Sequence, residues 1–114
     1  MRLDITKVKA LLLSVAKEMD YEKRLPKIEI GKPIGGCCAH YEYYRSTIVL
    51  KKSLLEESLG SIKNVLRHEM AHHYLGASIK HDKLFRDTCK KFGWGEKVYL
   101  ADGDFREEEV IGNQ

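Results

Sequence analysis

The chain has 114 residues, 43% hydrophobic and 32% charged, which makes one small core and neither a two-domain protein nor a disordered segment. Its 20 basic and 17 acidic residues leave a net charge of +3, without the dense basic patch of a general nucleic-acid binder. The longest apolar run, Ala10-Leu11-Leu12-Leu13, falls far short of the ~20 residues that span a bilayer, and the charged start Met1-Arg2-Leu3-Asp4 does not read as a secretory leader, so a soluble cytoplasmic protein is expected.

Ile5, Val8, Leu12, Val15 and Met19 recur at steps of three and four. That spacing predicts an amphipathic helix, capped by Asp4 or Thr6 and ending near Asp20, ahead of Pro26. Lys27-Ile28-Glu29-Ile30 alternates as a short strand. Gly31 to Gly36, with its glycines and Pro33, reads as an irregular turn. Cys38 to Tyr44 and Thr47 to Leu50 are rich in aromatic and β-branched residues and predict two strands around Arg45-Ser46. Together these give a small antiparallel sheet of about three strands.

Ser53 is expected to cap a short turn at Leu54-Leu55. Gly60-Ser61 reads as a break, with Ser61 as N-cap of a helix to Leu75 and Gly76 as its C′ residue. A supporting helix begins at His81 or Asp82, carries Leu84, Phe85, Cys89 and Phe92 at helical spacing, and stops at Gly93. Lys97 to Leu100 is predicted as a strand, and Glu107-Glu108-Glu109 form an acidic end. The fold class is α+β, a single domain over 1–114 with its core at about 5–93 and a C-terminal extension at 94–114. Cys37, Cys38 and Cys89 contain no C-x-x-C spacing, which excludes a cysteine zinc ribbon and leaves reduced thiols.

The chemistry concentrates in His68-Glu69-Met70-Ala71-His72, an H-E-x-x-H inside the longest helical pattern. At ~100° per residue, His68 and His72 lie about 40° apart and one turn along, so both imidazoles reach one point. Neutral imidazoles suit Zn²⁺. Glu69, about 100° round from His68, stands beside the metal, where it can take a proton from a bound water. Leu59, Ile62, Leu66 and Met70 form an apolar face turned away from the histidines, and Lys63 and Arg67 a narrower polar stripe. A zinc site needs a third protein ligand. His81 is the next histidine, with Asp82, Glu96 and Glu107 to Glu109 as acidic rivals. His73 and His40 read as packing residues. Tyr41, Tyr43, Tyr44, Tyr74 and Tyr99 are candidate oxyanion donors that read first as core or rim.

Arg67 to Leu75 followed by His81-Asp82-Lys83-Leu84-Phe85 resembles the SprT-like (Spartan-type) zinc metallopeptidases, whose pattern is H-E-x-x-H, a short loop, then H-G-x-x-F. Tyr21 to Pro26 and the glycine-entered hairpin from Gly35-Gly36 to Leu50 resemble the same family, over about residues 5 to 93. The WLM and YgjP-like peptidases share much of this layout. Asp82 stands where the family usually has glycine. The resemblance implies a zincin-like fold, Zn²⁺ held by His68, His72 and His81, and Glu69 as the catalytic residue. The expected activity is that of a zinc-dependent endopeptidase acting on a protein or peptide, with an extended substrate added along a sheet edge near Thr47 to Leu50. The missing zinc ribbon weakens any expectation of nucleic-acid binding. The alternative is a zinc-stabilised module that binds protein or DNA without hydrolysis.

Overall fold

The computed structural model describes residues 4–33, 37–76 and 83–99. Helix α1 (Ile5–Glu18) starts where Asp4 Oδ1 accepts the Lys7 amide at 2.9 Å, so Asp4 takes the cap role. Val8, Leu12 and Val15 turn one face of α1 into the core, and Met19 closes it.

Three strands follow: β1 (Lys27–Gly31), β2 (Ala39–Glu42) and β3 (Thr47–Lys51). Their spatial order is β1-β3-β2. β2 pairs antiparallel with β3, but β1 pairs parallel with it, in the register Ile28–Ile48 and Ile30–Leu50. The sheet is therefore mixed and not antiparallel as expected. The reason is topological. β2 runs antiparallel to β3 and lies on its far side from β1, so β1 and β3 run the same way with β3 between the other two strands. Alternating side chains report which face a residue occupies, not which strand lies beside it.

β3 sits in the centre, so Thr47, Ile48, Val49 and Leu50 are all buried. Near-continuous apolar residues suit a strand covered on both faces. The turn between β2 and β3 takes up residues 43–46, where Ser46 (φ 47°) donates its amide to the Tyr43 carbonyl at 3.1 Å. It removes Tyr43 and Tyr44 from the strand predicted for them. A 3-10 turn over Lys52–Glu56 buries Leu54 and Leu55, with no side-chain cap from Ser53.

Helix α2 (Leu59–Leu75) begins one residue before Gly60-Ser61, the pair that reads as a break in the sequence, and runs through it. Ser58 is its N-cap, accepting the Ser61 amide at 3.1 Å. Gly60 costs little there, because first-turn amides have no intrahelical partner in any case. Ile62, Leu66 and Met70 are buried as predicted, whereas Leu59, in the first turn, is 57% exposed. Gly76 ends α2 in the left-handed region (φ 80°), and its amide reaches the His72 carbonyl at 3.0 Å. Helix α3 (Lys83–Lys91) turns Phe85 and Cys89 inward and ends toward Gly93, also at φ 80°. Glu96–Tyr99 forms a short helix, α4, in place of the predicted strand, with the Val98 and Tyr99 amides both donating to the Gly95 carbonyl. Trp94 and Val98 belong to the core. No described helix is long and apolar enough to cross a membrane.

The lysine–arginine stripe of α2 has a fixed partner. Glu18, the last residue of α1, accepts from Arg67 Nε at 2.8 Å and Nη2 at 2.7 Å, from Lys63 at 3.0 Å and from the Trp94 indole at 3.0 Å. The Arg67 guanidinium first, then Lys63 and Trp94, hold its carboxyl down at about 2 against an ordinary 4.5, with partial burial opposing them. A depressed carboxylate stabilises the fold above its unfolded pKa and loses that contribution as pH falls through the folded value. Thermal unfolding of Glu18→Gln and the native chain should therefore differ most above pH 4.5 and converge toward pH 2.

Candidate metal centre

His68 and His72 lie one turn apart on α2 with ring centroids 5.1 Å apart, and both are buried. Phe85 of α3 packs against the two rings, at 4.7 Å from His68 and 4.5 Å from His72. The phenylalanine of the second motif is thus a wall for the histidine pair. Glu69, between them in sequence, is fully buried.

His68 Nδ1 lies 2.7 Å from the Val98 carbonyl oxygen of α4. A carbonyl only accepts, so Nδ1 carries the proton and Nε2 carries the lone pair of the neutral ring. That is how metal-binding histidines are oriented: the second nitrogen donates to a fixed acceptor, which sets the tautomer and raises ligand basicity. Two imidazoles one turn apart, one of them with Nδ1–H given to a fixed acceptor and next to a buried carboxylate in sequence, fit the donor chemistry of zinc. Among the described residues no third His, Cys, Asp or Glu joins the pair to form a metal-binding group. Glu96, one of the acidic rivals, is exposed at the start of α4. His81, Asp82 and Glu107 to Glu109 lie outside the described residues.

His73 is set the opposite way. Its Nε2 donates to the Arg24 carbonyl at 2.9 Å, and its Nδ1 accepts from the Tyr41 hydroxyl at 2.7 Å. Both nitrogens join α2 to β2 and to the loop before β1, so His73 is a packing residue. His40 bonds Glu42 two residues along β2, at 2.9 Å. Of the candidate oxyanion donors, Tyr41 is committed to His73 and Tyr74 accepts from Lys91 at 2.6 Å. Tyr43 and Tyr44 stand on the exposed hairpin turn. Tyr99 lies against Phe85, ring centroids 5.9 Å apart, and so adjoins the pair. Burial, with the Glu96 charge adding to it, pushes the Cys89 thiol up to about 12, which keeps it protonated and unfit as a thiolate ligand.

Thr47 to Leu50 does not offer an edge for strand addition. β3 is paired on both sides, and the outer strands of the described sheet are β1 and β2. The residue that sequence reasoning missed is Val98. Its contribution is a backbone carbonyl, which carries no side-chain signal.

No protein of curated function matches the chain significantly. Among solved structures, the metallopeptidase zymogen abylysin of Pyrococcus abyssi superposes with a TM-score of 0.67 at 23% identity, covering 91% of this chain and 94% of that one. The metallopeptidase zymogen jannalysin of Methanocaldococcus jannaschii gives 0.62 at 19% identity, covering 91% and 93%. At these identities the likeness is one of fold, and it makes the α+β arrangement similar to zincin-like metallopeptidases. The SprT-like family matches residues 8–99, most of the chain, from within α1 to the end of α4. The chain belongs to the SprT-like family.

Proposed function

We propose that the chain is a zinc-dependent endopeptidase in which His68, His72 and His81 hold the metal and Glu69 is the general base. SprT-like membership and a fold shared with two metallopeptidases support a metallopeptidase-type activity. The observation that carries the finer reading is His68, buried beside Glu69 and His72 with its Nδ1–H given to the Val98 carbonyl. When bound, zinc supplies Lewis acidity and a water that ionises near pH ~7.

The chain's own residues supply the rest. His68 presents Nε2 because its Nδ1–H donates to the Val98 carbonyl. Phe85 keeps both rings in place and excludes water from their flank. The Glu69 carboxylate takes the proton of the attacking water and returns it to the leaving amine, so one group acts as base and then as acid. The substrate is an unfolded or flexible protein chain, since a cleft in a domain this small admits an extended strand.

The test is zinc content of the purified protein and of His81→Ala. One zinc per chain is expected in the first, with loss in the variant. Equal retention would overturn the assignment of His81 and point to an acidic third ligand.

A further inference from the structure

We propose that Trp94 is a positioning residue for His68, acting through the Val98 carbonyl; this rests on reading His68 as a metal ligand. The carbonyl that orients His68 belongs to α4, which has four residues and cannot hold itself in place by helical cooperativity. Its placement comes from the turn before it. The Val98 and Tyr99 amides donate to the Gly95 carbonyl at 3.0 and 3.3 Å, so Gly95 sets where α4 points. Trp94, one residue earlier, is pinned at two places. Its amide donates to the Cys89 carbonyl at 3.0 Å, and its indole Nε1 donates to Glu18 Oε1 at 3.0 Å.

Glu18 is in turn gripped by Arg67, the residue directly before His68. The contacts form a closed circuit. It runs from α2 through Arg67 to Glu18, on to Trp94, Gly95 and Val98, and back to α2 at the His68 ring. A circuit that starts and ends on one helix fixes the carbonyl relative to the ring it orients. Core packing alone does not require the indole N–H, because the Trp94 ring already lies 5.2 Å from Phe92 in the apolar cluster. The N–H matters for where the turn stands.

In water a neutral histidine favours the Nε2–H tautomer, so a His68 held as Nδ1–H is a readable signature of the circuit. Long-range ¹H–¹⁵N spectra of the imidazoles in metal-free protein, recorded above the histidine titration range, should show His68 as Nδ1–H. Trp94→Phe keeps the apolar ring and removes the donor. It should shift His68 toward the Nε2–H form and weaken zinc binding by about ten-fold, the lower end for loss of an outer-shell partner. Leu54→Ala, buried in the turn before α2, serves as the control: it lowers thermal stability and should leave the tautomer as it was. Glu18→Ala removes the acceptor instead of the donor and is read the same way if Trp94→Phe does not fold.

The proposal is overturned if metal-free native protein carries His68 as Nε2–H. It is equally overturned if a folded Trp94→Phe keeps both the tautomer and the zinc affinity. A native chain that binds no zinc would refute the proposed function, whereas the tautomer, read without metal, would still decide the role of Trp94.

Discussion

Glu69→Gln is expected to lower peptide hydrolysis by about 10²–10⁴-fold while the protein keeps its fold and its zinc. Glutamine has nearly the same shape and a similar helix propensity, so α2 accepts it. Glu69 is fully buried on α2 between His68 and His72, and the change leaves both imidazoles untouched. What disappears is a carboxylate that can take a proton and give it back. The measurement is cleavage of an unfolded protein by both forms at matched zinc content. Undiminished hydrolysis in the variant would end the mechanism. If Glu69 were a structural group instead, the same change would show as lost stability or lost zinc.

Phe85→Ala carries the largest expected effect on stability, about 3–5 kcal/mol, the usual cost of truncating a buried phenylalanine. The ring is completely buried and touches both histidines as well as Tyr99. Alanine leaves a cavity between α3 and α2 that the two imidazoles border. A fall in Tm on the order of 15 °C follows for a domain of this size. The scan should be run on metal-free protein, so that lost packing is separated from lost metal. Phe85→Leu should recover most of the loss; a fall no greater than that of a surface substitution would show that Phe85 does not wall the site.

Helical periodicity makes most of this architecture legible in the amino-acid sequence. The steps of three and four in α1, the long pattern of α2 and the glycines at 76 and 93 located the helices and their ends. The H-E-x-x-H spacing singled out His68, Glu69 and His72 as the candidate site, and a 3.6-residue period puts the two histidines one turn apart, as they stand on α2. The parallel pairing of β1 with β3 was not legible, since alternation is the same in either direction. Nor was α4: Lys97-Val98-Tyr99 has strand-like composition, and its helical turn follows from contacts that Trp94 and Val98 make elsewhere.

Glu18 did leave a trace. An acidic residue in the last turn of a helix opposes the helix dipole, and that penalty signals cations supplied from outside the helix. Here they come from Lys63 and Arg67.

The separation between His68 and its orienting carbonyl also sets an order of events during synthesis. The ring and the carbonyl lie 30 positions apart, so at ~5–20 residues per second the ribosome adds Val98 roughly 1.5–6 s after His68. Throughout that interval a nascent chain already contains the whole H-E-x-x-H helix but not the acceptor that fixes its first histidine. The oriented imidazole is therefore a late product of translation, completed only when α4 has left the exit tunnel and docked.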